Sequence, residues 1–107
     1  MTMQPAASRV SPEVEQFRAL LRERLPDLRQ RYGVEALSLF GSFVRHEQQP
    51  QSDLDVLVEF GETPGLFAYV ELQDMLSDLL GIQVDLVMRS ALKPRIARQV
   101  LQEVVAV

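Results

Sequence analysis

Apolar residues recur along this chain with two different periods. Val14, Phe17, Leu21, Leu25 and Leu28 are spaced three and four apart, which predicts one apolar stripe on a helix over residues 12–31. Ser11-Pro12-Glu13 has the capping Ser, the early Pro and the acid of a helix start, and Gly33 suits its end. Pro26 is expected to bend or break that helix. The period then changes to two. Glu35–Phe40 (EALSLF) reads as a strand with Leu37 and Leu39 on one face, and residues 53–60 (DLDVLVEF) alternate so that Leu54, Val56, Val58 and Phe60 oppose Asp53, Asp55, Leu57 and Glu59. Helical spacing returns over residues 66–80, where Leu66, Tyr69, Leu72, Leu76 and Leu79 share a face and Gly81 follows. Residues 82–88 (IQVDLVM) alternate again, and Leu92, Ile96, Val100 and Val104 predict a last helix starting near Pro94. This order predicts an α/β (α+β) layer, a small three-stranded sheet packed by helices, in one domain over residues 11–107 behind a loose arm at residues 1–10.

Composition narrows the function. The 107 residues carry 24% charged and 47% hydrophobic residues, within the ordinary range of folded globular proteins. The formal charge of −4 argues against bulk nucleic acid or an anionic membrane as partner. Its distribution is uneven: residues 46–88 hold nine acids and no Lys or Arg, whereas the flanking segments are net basic. With no Cys there is no disulfide, thiolate metal site or Cys nucleophile, and the cytoplasm is the expected compartment. No apolar run is long enough for a signal core or a membrane span, so neither secretion nor membrane insertion is expected.

The acids in the strands carry the chemistry. Positions i and i+2 of a strand face the same way, so Asp53 and Asp55 place two carboxylates roughly 7 Å apart on one side of a rigid element. Unpaired, they repel and raise each other's pKa, a cost that a divalent cation removes. Oxygen ligands without His or Cys companions suit Mg²⁺ or Mn²⁺, and Asp85, inside the apolar run Val84–Val87, is the natural third ligand. Structural salt bridging is the competing reading for Asp55 and Asp85, and a turn role the competing reading for Asp53. Gly41-Ser42 stands where a strand enters a short turn (Ser42–His46), a place suited to an anion, although an ordinary helix cap explains Ser42 equally well. Arg45, on the same side of that turn, can face a phosphate or hold a carboxylate of the loop. His46, the sole His, reads as a solvated loop residue. The Arg-rich face of residues 18–31 and the basic group Arg89, Lys93, Arg95 and Arg98 are candidate partner surfaces, with solvated helix faces as the alternative.

Gly41-Ser42, ten intervening residues, then Asp53-Leu54-Asp55 resembles the GS-x10-DxD signature of nucleotidyltransferases related to DNA polymerase beta. The flanks LFGSFVR, SDLDVLVEF, LLGIQVDLV and ALKPRI are similar to minimal nucleotidyltransferases of prokaryotes, over about residues 13–105. The resemblance implies the minimal nucleotidyltransferase fold with a mixed sheet, and Mg²⁺-dependent transfer of a nucleoside monophosphate from a triphosphate such as ATP. It implies Asp53, Asp55 and Asp85 as catalytic metal ligands and Gly41 and Ser42 at the phosphates, and Arg45, by its place in the same turn, is expected to join them in binding the nucleotide. Members of this group are commonly antitoxins whose partner toxin is a HEPN ribonuclease, and some silence it by attaching AMP to a toxin tyrosine. A non-catalytic antitoxin acting by occlusion is the alternative, and a small-molecule nucleotidyltransferase a third; the chain's size favours a protein acceptor. One departure stands out: the family usually has Gly where this chain has His46, and a positive φ there would cost a His on the order of 1 kcal/mol.

Overall fold

The computed structural model describes residues 10–107, so the expected arm over residues 1–10 lies outside the described residues except for Val10. Helix α1 runs Pro12–Tyr32. The Ser11 hydroxyl accepts the Val14 N–H at 3.1 Å, and Glu13 and Glu15 in the first turn oppose Arg29 and Arg31 in the last, as the helix dipole favours. Pro26 does not break it. The Pro26 ring lies on the solvent side, while Leu21 and Leu28 on either side of it are fully buried and hold both halves against the core. Gly33, at φ 73°, ends the helix by donating its N–H to the Leu28 and Arg29 carbonyls.

Strand β1 (Val34–Phe40) pairs antiparallel with β2 (Leu54–Phe60). A register shift between Val34 and Ala36 turns both Val34 and Leu37 inward although they are three residues apart. Helix α2 (Leu66–Leu80) leads to β3 (Val84–Met88), which lies parallel to β2. On the outer edge of β3, Ser77 and Gln73 of α2 accept the Val84 and Leu86 N–H groups at 3.0 and 2.9 Å, and the Tyr69 hydroxyl donates to the Leu86 carbonyl. Side chains of α2 thus occupy an edge that would otherwise invite another strand. A 3-10 turn (Arg89–Ala91) precedes helix α3 (Pro94–Glu103).

The sheet has four strands, not the expected three. Val105–Ala106 form a short β4 that pairs with β1, giving the order β3-β2-β1-β4, a mixed sheet. Helical periodicity predicts α3 through Val104, but Val104 is extended (ψ 146°) and, with Val105, gives two consecutive β-branched residues that favour a strand. Arg18 fixes this strand by donating to the Ala106 carbonyl at 2.9 Å. Two further positions differ from expectation: Leu92 precedes α3, and Leu66, read as core-facing, is exposed while Leu80 is buried in α2.

One face of the sheet makes the core. Leu37, Leu39, Leu54, Val56, Val58, Val84 and Leu86 pack with Val14, Phe17, Leu21 and Leu28 of α1 and Leu72, Leu76 and Leu80 of α2. The other face carries Phe40, Asp55, Leu57 and Asp85: Leu57 is buried there, whereas the end with Phe40 and Asp55 half-buried and Asp85 exposed opens to solvent, and that end is the open face. Among the described residues no helix is long and apolar enough to cross a membrane.

Candidate active site

The open face collects the acids. Asp55 on β2 is the direct register partner of Asp85 on β3, and on its other side it pairs with Phe40 on β1. Register partners on neighbouring strands point the same way, about 5 Å apart. Asp53 stands just before β2 and is exposed, Asp85 is exposed, and Asp55 between them is half-buried. Burial first, then the charge of Asp85 and a hydrogen bond with it, then the charge of Asp53, push the Asp55 carboxyl from 3.8 up to about 6, against a small opposing pull from Arg45. Asp85 also helps burial raise the Tyr69 hydroxyl.

The Gly41 turn abuts this group. Gly41 has φ 86°, and a Cβ there would fall 1.9 Å from Asp55 Oδ2, so both the backbone conformation and the close approach require glycine. Phe43 anchors the turn: it is buried and meets Phe17 of α1 edge-on, centroids 5.8 Å apart. The Arg45 N–H bonds to the Gly41 carbonyl, the Glu47 N–H to Ser42 and the His46 N–H to Phe43, at 3.0, 2.8 and 3.3 Å. These last two bonds are the pair that closes a helical turn through a left-handed residue, and His46 is that residue, at φ 61°. Here lies the physical reason for a glycine in the family pattern. The capping alternative for Ser42 is not what forms, because the Arg45 N–H goes to the Gly41 carbonyl, which puts Gly41 and not Ser42 at the cap position.

Of the two roles open to Arg45, the structure displays the carboxylate one. Its Nε donates to Glu47 Oε1 at 3.0 Å and its Nη1 to both oxygens of Glu103 at 3.3 and 3.1 Å. Glu103 also accepts the Gly41 N–H at 2.9 Å. Sequence reasoning missed Glu103. The signal was its position: an acid in the last turn of a helix, where the dipole disfavours it, in a segment otherwise basic.

The donor set fits a hard divalent cation. Asp53, Asp55 and Asp85 offer only carboxylate oxygens, and among the described residues none of the three joins an ion pair with Lys or Arg. Burial and mutual repulsion disfavour the charge on Asp55, a penalty a cation would reverse. As the side chains stand, no three His, Cys, Asp or Glu among the described residues form a group that could hold a metal ion, although Asp55 and Asp85 are joined and the charge of Asp53 reaches Asp55.

The candidate partner surfaces are partly engaged within the chain. Arg18 pairs with Glu15 at 2.6 Å, and Arg31 lies near Asp27 and Glu71 and over the Tyr32 ring. Arg89 makes a long contact of 3.5 Å with Glu59.

Comparison with known proteins identifies the family. The protein adenylyltransferase MntA of Thermococcus cleftensis is 47% identical over 94 residues, covering 88% of this chain and 95% of that protein. A toxin–antitoxin crystal structure with AMP-PNP matches at a TM-score of 0.64 and 27% identity, over 90% of this chain and 72% of the other. A tri-AMPylated Shewanella oneidensis HEPN toxin in complex with its MNT antitoxin matches at a TM-score of 0.57 and 26% identity, over 88% and 67% of the two chains. Residues 21–107 match the family described as the nucleotidyltransferase domain, and the chain belongs to that family, as a nucleotidyltransferase of the minimal kind.

Proposed function

We propose that this chain is an antitoxin that transfers AMP from ATP to a tyrosine hydroxyl of a partner HEPN ribonuclease and so neutralises it, in the cytoplasm. The observation that carries the reading is the Asp55–Asp85 pair on the open face, with Asp53 beside it and the Gly41 turn against it. The name of the Thermococcus relative, the AMP-PNP of one neighbour and the tri-AMPylated HEPN toxin of another support the nucleotide and the acceptor.

Asp53, Asp55 and Asp85 would hold Mg²⁺ or Mn²⁺, which supplies positive charge for the triphosphate and the departing pyrophosphate. The chain's own groups do the rest. Ser42 and Arg45 receive the outer phosphates. Asp85, exposed on β3, takes the tyrosine proton as the phenolic oxygen bonds to the α-phosphorus and the bond from that phosphorus to the pyrophosphate oxygen breaks. A narrow sheet with an open face admits a protein loop more readily than it encloses a small molecule.

Mass spectrometry of the co-expressed partner tests this. With Asp53 intact the partner gains one or more AMP masses on tyrosine; with Asp53→Asn it gains none, and its toxicity returns. An unmodified partner that is nonetheless neutralised by both versions would overturn catalysis in favour of occlusion.

A further inference from the structure

The Gly41 turn already holds an anion, and that anion belongs to the chain itself. Glu103 Oε2 takes the Gly41 N–H at 2.9 Å, and both Glu103 oxygens take Arg45 Nη1. A backbone N–H beside a guanidinium is the donor set that recognises a phosphate oxygen, and a carboxylate is a close substitute for one. We propose that Glu103 occupies the seat of a nucleotide phosphate and thereby sets the chain's affinity for its triphosphate. The proposal rests on the nucleotide reading above and adds a residue to it.

Charge and mobility both favour exchange. Arg45 faces two carboxylates, Glu47 and Glu103, so the turn presents no net positive charge to an incoming triphosphate. One of the two must yield before Arg45 can neutralise a phosphate. Glu103 is the one that also blocks the Gly41 N–H, whereas Glu47 holds only Nε. The Glu103 backbone is fixed, because the next residues end α3 and pair Val105 with Leu39. Its side chain is not: it is 21% exposed and Arg45 46%, so the carboxylate can turn into water without opening the core. Displacement costs the charge-assisted hydrogen bonds it makes, and that cost is subtracted from nucleotide binding.

Glu103→Gln tests this, because glutamine keeps the size and an acceptor for the Gly41 N–H but removes the charge that competes for Arg45. The expected result is a dissociation constant for a non-hydrolysable ATP analogue lower by about tenfold, roughly the worth of one charged hydrogen bond. In the transfer reaction the KM for ATP falls by a similar factor while kcat changes by less than about twofold, a split that a purely structural contact does not produce. Asp27→Asn, which removes one negative charge from α1, controls for net charge and leaves the constant unchanged. Should Glu103→Gln melt early, Glu103→Asp, which keeps the charge but retracts it from Gly41, is expected to tighten binding in the same direction. Weaker binding by Glu103→Gln would mean that Glu103 orients Arg45 for the phosphate, and unchanged binding that the contact only ties α3 to the turn; either overturns the proposal. If the unsubstituted chain binds no triphosphate at all, the nucleotide reading is what fails.

Discussion

The two faces of β2 belong to one strand yet are organised on opposite terms. Leu54, Val56 and Val58 are fully buried at 0% exposure and meet Leu37 and Leu39 across β1 and Val84 and Leu86 from β3. One residue out of phase, Asp55 faces its register partner Asp85 with burial and like charge both opposing its ionisation. The first face lowers the free energy of the fold through area removed from water. The second raises it, and the strain survives because the first face holds the strand in register. Substitutions on the two faces should therefore differ in the sign of their effect on stability as well as in their effect on transfer.

The largest effect is expected on the closed face. Leu39 is fully buried, and Leu39→Ala should cost about 2–5 kcal/mol in denaturant unfolding by leaving a cavity between α1 and the sheet. Next comes the point where the faces meet. Gly41→Ala puts a methyl 1.9 Å from Asp55 Oδ2 and forces alanine to φ 86°, so stability should fall by about 1–2 kcal/mol and transfer by about a hundredfold as the carboxyl is pushed aside. A chain that tolerates Gly41→Ala with full transfer would separate the turn from the chemistry.

On the open face the sign reverses. The folded pKa of Asp55, about 6, lies above its ordinary 3.8, so the folded state holds this proton more tightly than the unfolded state does. Stability is then fully present below about 3.8 and lost as pH rises through about 6, by on the order of 1 kcal/mol once solvent on the exposed side is allowed for. Asp55→Asn should therefore raise the melting temperature of the metal-free protein at pH 7.5, with the gain vanishing near pH 4, while abolishing transfer. Mg²⁺ should raise the melting temperature of the unsubstituted chain above pH 6 and leave that of Asp55→Asn nearly unmoved.

The same division governs what could be read from the sequence. Period and local chemistry give α1, β1, β2, α2 and β3, and strand parity puts Asp53, Asp55 and Asp85 on polar phases of their strands before any pairing is known. What parity cannot supply is the parallel register that makes Asp85 the partner of Asp55 rather than of another β2 residue. The misread parts are all decided by distant contacts. Pro26 is tolerated because burial on both sides outweighs one lost hydrogen bond. Val105 and Ala106 become a strand because β1 has an open edge to pair with, which a short apolar run does not announce. Glu103 reaches Gly41 and Arg45 across 62 and 58 positions of sequence, so only its awkward place at a helix end could have marked it.

The smallest effect concerns the one departure from the family pattern. His46 adopts φ 61° to complete the pair of bonds that closes the turn, and a side chain in that region carries strain that glycine lacks. Against this, glycine gains more freedom in the unfolded chain, so relief and entropy partly cancel. His46→Gly should then stabilise the chain by about 0.5–1 kcal/mol in denaturant unfolding, with transfer changed by less than about twofold. The closure bonds place His46 beyond the segment from Gly41 to Arg45 that abuts Asp55, so relieving its backbone strain is expected to leave that segment in place. A loss of transfer on His46→Gly would break the comparison, because it would make the imidazole a participant in the open face and not merely the end of its supporting turn.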